Sequence, residues 1–317
     1  VATCDLDRPL MLGATPFPLP LQLGHECVAE VVMVGEDVRS VRIGDLVVVP
    51  FQISCGACGA CRAGRSSNCE TVPPASMYGF GLAGGLWGGA IADRLTVPFA
   101  DAMLVPLPSG IDPTDAASVA DNVSDAYRHV APHLSGLLAE DAASQVLIVA
   151  ATSRPAVFTS SVGLYAGQIA RAFGAQNVAL IDARPAVRAR AQELDLTALP
   201  PEQARSVEQA RLVIDVSSTR AGFRLALAHA APDGILSCAG GLSPSVRVPL
   251  LRSFGRNITI HIGRSNARTV IPEVLSMMAA GRLHPERVTT QVAPMDDAVT
   301  ALHEHCRDDA IKTVLTA

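Results

Sequence analysis

Four cysteines stand within one short segment, SCGACGACRAGRSSNC, at Cys55, Cys58, Cys61 and Cys69, with the spacing C-x2-C-x2-C-x7-C. Four thiolates this close in sequence can close a tetrahedron around one zinc ion, leaving no position for water or substrate. Gly56, Ala57, Gly59 and Ala60 separate them, so the chain can turn tightly around an ion. An iron–sulfur cluster usually carries other spacings, and a disulfide framework belongs to exported chains. The expectation is a structural zinc site, which holds a loop and does no chemistry itself.

The 317 residues are 49% hydrophobic and 17% charged, enough for a buried core and about two domains. Aromatic residues are only 4%, with one tryptophan, Trp87, which disfavours a base-stacking surface. A formal charge of −5 gives no polyanion footprint, so neither nucleic acid nor anionic membrane is expected as a partner. No apolar run is long enough to span a bilayer, and no segment reads as a basic-then-apolar leader. Eight cysteines, four of them in a metal motif, suit a reducing cytoplasm, the compartment expected.

Three zones differ in texture. Residues up to about Ala120 are rich in Val, Gly and Pro and read as short strands, with Cys27–Val34, Asp45–Pro50 and Ala90–Val97 as examples. From about Asp121 to Arg264, uniformly apolar strands (Gln145–Ala150, Asn177–Asp182, Ala210–Val216, Gly234–Ala239, Asn257–Ile262) alternate with helices at Val162–Phe173, Pro185–Leu194 and near Ala221–Ala230. That alternation predicts an α/β, doubly wound, Rossmann-type parallel sheet covered on both faces. The last zone is mixed: helices at Thr269–Ala280 and near Met295–Cys306, then a strand at Ile311–Leu315.

Gly24-His25-Glu26 precedes the apolar strand CVAEVVMVG. His25 is a candidate metal ligand, and Glu26 can coordinate or lie behind the ligands. Asp121, where an apolar helical approach meets the sheet zone, is a candidate third ligand facing an interdomain cleft. A helix cap is its ordinary alternative. Cys4 can supply a thiolate, although an isolated cysteine is more often a small buried residue.

Together these pieces resemble the zinc-containing medium-chain alcohol dehydrogenase family. The resemblance rests on Gly24-His25-Glu26, GEDV and IGDLVVVP (Gly35–Val38, Ile43–Pro50), the four-cysteine lobe, GGLWGGAIADRLTVP (Gly84–Pro98), the Asp121–Tyr127 junction, NVALID and the terminal KTVLT. They occur in family order over nearly the whole chain. The resemblance implies a GroES-like β-rich catalytic domain (1–121 and 265–317) and a Rossmann dinucleotide-binding domain (122–264). It also implies a catalytic zinc held by His25, Asp121, Glu26 and Cys4, and a dimer or tetramer.

Three departures stand out. If Asp5 is the aspartate of the family's C-x-x-D motif, the cysteine position holds Ala2, and Cys4 falls where the family often has a Ser/Thr proton relay. Either Cys4 coordinates after a register shift or that ligand is lost. The family pattern also begins well before Val1, so the chain reads as truncated or annotated from a late start. Finally, G-x-G-x-x-G is replaced by AATSRPAVFTSSVG (Ala150–Gly163), with only Gly163 clearly in place. Ser160 and Ser161 can still donate to a phosphate at the helix N-terminus.

Asp182 ends the second sheet strand, where a carboxylate accepts the hydroxyls of an adenosine ribose and repels a 2′-phosphate. This favours NAD over NADP; Arg184 nearby blunts the preference, and a turn-forming Asp is the alternative. Met77, Tyr78 and Trp87 are candidates to line a substrate pocket or to pack the core. His303 and His305 read as a solvated helix face, His129 and His133 as surface residues, and Cys238 and Cys306 as small buried ones. The expected function is NAD-dependent oxidation of a small or medium alcohol to its aldehyde, and the reverse. A second class fits the same residues: a non-catalytic or ligation-altered homologue that keeps the structural zinc and acts as a binding protein.

Overall fold

The computed structural model describes residues 1–240 and 245–317, which fall into two compact units. The first takes in Val1–Asp125, Ser265–Cys306 and Lys312–Ala317. The valine-rich segments after His25 form its antiparallel sheet: β1 (Cys27–Glu30) pairs with β2 (Leu46–Val49), and β2 with β3 (Val105–Pro106). Val47, Val49, Ile53, Tyr78, Met103 and Leu104 point inward and form one core cluster.

The second unit comprises Ala126–Arg264 and Arg307–Ile311. Its apolar runs have no polar face to give to water, so they are buried side by side as β4 (Gln145–Val149), β5 (Asn177–Ile181), β6 (Thr197–Leu199), β7 (Ala210–Asp215), β8 (Ala230–Cys238) and β9 (Thr259–Ile262). All pairings are parallel, in the order β6-β5-β4-β7-β8-β9. That order reverses between β4 and β7, the switch point at which doubly wound sheets bind ligands. Gly163 sits where a Cβ would meet Val216 and Ile148 at 3.1 and 3.2 Å, so the helix Ser161–Ala172 lies close on the sheet.

Back in the first unit, β10 (Gln291–Pro294) pairs in parallel with β11 (Thr313–Thr316). Ala2 bridges Glu26 on one side and Val314 on the other, which places the Cys4 segment beside the start of β1. Among the described residues no helix is long and apolar enough to cross a membrane.

Several sequence expectations give way here. Ala90–Val97 is irregular rather than a strand, because its first amides bond to the loop before His25: Ala90 N donates to Gly24 O at 2.7 Å and Ile91 N to Leu23 O at 3.1 Å. His129 is buried rather than on the surface, with Nδ1 2.6 Å from Ser237 Oγ. His305 is buried rather than solvated, with Nδ1 3.0 Å from Thr313 Oγ1, and its Nε2 has no hydrogen-bond partner. Of the two roles open to Tyr78 and Trp87, the structure shows core packing: Tyr78 is buried with its hydroxyl donating to Thr96 O, and Trp87 packs against the same cluster.

Burial, with the charges of Lys312 and Arg8 nearby, lowers the His305 pKa to about 4. The unfolded chain, with an imidazole pKa of about 6.5, takes up a proton that the fold refuses. Stability therefore falls as pH drops from about 6.5 to about 4, by about 3 kcal/mol in all. His305→Gln, which keeps a donor for Thr313, should flatten that part of the slope. Urea denaturation of variant and parent at pH 7, 5.5 and 4.5 checks this; identical slopes would refute it.

Candidate functional site

Two groups of ligand-type side chains meet in the first unit. In the lobe, the Sγ atoms of Cys55, Cys58, Cys61 and Cys69 lie within 4.8 Å of one another, and all four are free thiols. Backbone amides point at the sulfurs: Ala57 N and Cys58 N at Cys55 (3.4 and 3.3 Å), and Cys61 N and Glu70 N at Cys58 (both 3.4 Å). Gly56 makes the tight turn at φ +72°, where a Cβ would strike that of Ala102.

The hydrogen bond from Thr71 Oγ1, with the amides, lowers the Cys55 thiol to about 6. The Glu70 amide lowers Cys58, whereas burial lifts Cys61 to about 12. Donors aimed at sulfur favour thiolate, and the donor set fits a tetrahedral zinc with no open position. Cys58→Ser should remove one zinc per chain and lower the melting temperature, as read by metal analysis and calorimetry. Unchanged zinc content would refute a metal role for the quartet.

The second group is buried. Ligand atoms of Cys4, His25, Glu26 and Asp121 also lie within 4.8 Å of one another. Cys4 Sγ donates to Asp121 Oδ2 at 3.3 Å, and the same oxygen is 3.4 Å from His25 Nε2. The ring of His25 lies against Phe80 and Phe51, with centroids 5.0 and 5.7 Å away. Gly79, at φ +79°, leaves the space beside it, since a Cβ there would meet Gly24 O at 2.8 Å and His25 Nδ1 at 3.1 Å.

Two residues that the sequence reading passed over complete this site. Asp7 is buried with Oδ2 accepting from Cys4 N at 2.7 Å, and its Oδ1 is 3.9 Å from His25 Nδ1. Neither Oδ1 nor Nδ1 has a hydrogen-bond partner. At 3.9 Å the two atoms make no hydrogen bond, but the carboxylate stands on the side of the ring away from the cluster, where an imidazole ligand takes its orienting partner. The C-x-x-D motif therefore runs from Cys4 to Asp7. The register that puts Ala2 at the cysteine position and Asp5 at the aspartate is two residues off, and Ala2 lies in a β-bridge. The second residue is Lys312, whose Nζ reaches Glu26 Oε2 at 2.6 Å with both side chains fully buried.

The electrostatics ask for a cation. Burial raises Asp7, raises Glu26 to about 8 against the pull of Lys312, and lifts the Cys4 thiol well above its ordinary range, with Asp121 adding to the last. Burial opposes a charged His25, yet the hydrogen bond with Asp121 and the charges of Asp7, Asp121 and Glu26 raise it to about 9. A thiol, an imidazole and carboxylates gathered in one dry pocket, where burial penalises their charged forms, fit a divalent ion that takes the place of protons on its ligands. The mixed S, N and O donor set suits zinc.

The position at which doubly wound sheets take a dinucleotide lies in the second unit. Ser160 precedes the helix at φ +69°, and Ser160, Ser161 and Asp182 are all buried. Asp182 does not present its carboxylate to a ligand. Oδ1 accepts from Arg184 N and Nε at 2.8 and 3.0 Å, and Oδ2 from Arg184 Nη2 at 2.8 Å and Ala151 N at 3.3 Å. In this conformation the position does not fit an adenosine ribose. A small cavity of about 40 Å³ adjoins it at the ends of β4 and β7, lined by residues of the loop from Ala150 to Ser160 with Val216, Ser217 and Thr219.

Residues 1–109 match the alcohol dehydrogenase GroES-like domain. A Mycobacterium tuberculosis protein described as a probable zinc-binding alcohol dehydrogenase is 31% identical over 308 residues, covering 93% of this chain and 74% of its own. The geraniol dehydrogenase of Castellaniella defragrans is 31% identical over 99% of this chain and 88% of its own. Among solved structures, an alcohol dehydrogenase from Thermus sp. ATN1 superposes with a TM-score of 0.86 at 31% identity, covering 99% of this chain and 89% of that one.

Proposed function

The chain belongs to the zinc-containing medium-chain alcohol dehydrogenase family, an oxidoreductase family, and within it we propose that this protein interconverts a small or medium alcohol and its aldehyde at the Cys4–His25–Asp121 cluster, with NAD as hydride partner. The observation that carries the reading is the convergence of thiol, imidazole and carboxylates in one buried pocket. The two relatives named for alcohol and for geraniol oxidation support the substrate class. The sheet order, with its switch point between β4 and β7, supports a dinucleotide, as it does in other doubly wound sheets.

In this reading Cys4, His25 and Asp121 hold a zinc ion, and Glu26, paired with Lys312, stands behind them. The ion, when bound, supplies Lewis acidity toward an alcohol or aldehyde oxygen. The protein's own groups set its environment. Asp7 orients His25 so that Nε2 faces the cluster, and Phe51 and Phe80 wall the imidazole from water. Lys312 balances one of the acidic groups, so that the pocket is not left with every carboxylate uncompensated. The cysteine quartet holds a second, structural zinc in the lobe.

His25→Ala should abolish alcohol turnover while the melting temperature changes little. Asp7→Asn should lower zinc affinity or kcat/KM by roughly 10–100-fold, since it removes an orienting carboxylate and no ligand. Metal analysis with steady-state assays on a panel of primary alcohols measures both. One zinc per chain in the wild type, with no oxidation of any alcohol, would refute the enzyme reading and favour a binding protein.

A further inference from the structure

A buried ion pair occupies the place where a dinucleotide's ribose would make its defining contact. Asp182 is 0% and Arg184 1% exposed. Their bidentate contact, with the Arg184 and Ala151 amides, provides Asp182 with four donors. A carboxylate has about four acceptor positions, so none is left for a diol. The same guanidinium reaches across to the residues before the helix, with Nη2 donating to Ser160 Oγ at 2.6 Å and to Thr159 O at 3.1 Å. The outer half of the loop is tied separately: Asp308 accepts from Arg154 Nε at 2.6 Å and from Ala156 N at 3.0 Å.

The inner contact is not a perfect packing solution. Arg184 Nη1 is buried and has no hydrogen-bond partner. An unsatisfied N–H on a buried cation costs stability that an open conformation would recover in water. The closed arrangement is thus opposed from within, as a reversible contact must be.

Resting on the dehydrogenase reading, we propose that Arg184 is a lock on the adenosine half of the dinucleotide site: NAD(H) binds only to a form in which its guanidinium has left Asp182. The ribose diol and Arg184 are then competitors for one carboxylate. Apparent affinity is reduced by the fraction of molecules that are closed. No bond is made or broken beyond hydrogen bonds and the ion pair.

The test is NADH titration of the zinc-loaded full chain, followed by nicotinamide fluorescence and by calorimetry with ADP-ribose. Both readouts are independent of turnover. Arg184→Ala should bind NADH at least about tenfold more tightly than the wild type. Arg184→Lys, which keeps the charge but cannot fork onto Asp182 and Ser160, should fall between them. If the alanine variant does not fold, the lysine variant decides. Wild-type binding that neither substitution tightens would overturn the lock and leave the dehydrogenase reading standing. So would wild-type preference for NADPH that is lost in both variants, since Arg184 would then be reading a 2′-phosphate. Folded variants that bind neither NADH nor NADPH would overturn the lock and the dinucleotide part of the functional reading together.

Discussion

A lysine and a glutamate 286 positions apart meet at 2.6 Å, with neither side chain reached by solvent. Burying such a pair costs desolvation that the Coulomb attraction only partly repays, and losing one partner strands the other charge. Its value lies in what it positions. Glu26 follows His25 and immediately precedes β1, and Lys312 immediately precedes β11, so the pair fixes both strand starts beside the Cys4 segment, which hydrogen-bonds to Glu26 and to Thr313. The thiol, imidazole and Asp121 carboxylate converge because the backbone that carries them is held there.

The two cysteine-bearing clusters solve opposite problems. The quartet lies toward the surface and draws on backbone N–H groups to favour thiolate, which a tightly turning, glycine-rich loop can supply in number. The other cluster is dry, has few such amides, and relies on proximity of unlike groups in a medium that penalises their charges. One site can therefore be read from local spacing. The other exists only once distant segments have come together.

That difference also sets what was legible beforehand. The quartet, the alternation of apolar strands with helices, and the parallel sheet they form follow from local pattern, because spacing and periodicity are properties of short windows. His25, Glu26, Asp121 and Cys4 stand out as ligand-type residues, and Cys4-Asp5-Leu6-Asp7 itself spells C-x-x-D, so the register is legible once the motif is counted from the cysteine. The burial of the histidines is not legible in this way. His129 and His305 depend on hydroxyls of Ser237 and Thr313, and no local pattern reveals such partners. Nor does the sequence disclose that Arg184 turns back onto Asp182, because an exposed arginine in a turn is equally compatible with the letters.

The segment Arg307–Ile311 belongs to the parallel-sheet unit, while the residues on either side of it belong to the other. During synthesis, then, neither unit can close when its own main stretch has emerged. The loop after β4 waits for Asp308, and the Cys4 segment waits for Thr313 and Val314. Contacts of such sequence separation carry a large loop-closure cost and form late. The pocket around Cys4 and the loop after β4 therefore stay unfinished until Asp308 to Val314 are made, and two adjoining short segments complete the two units.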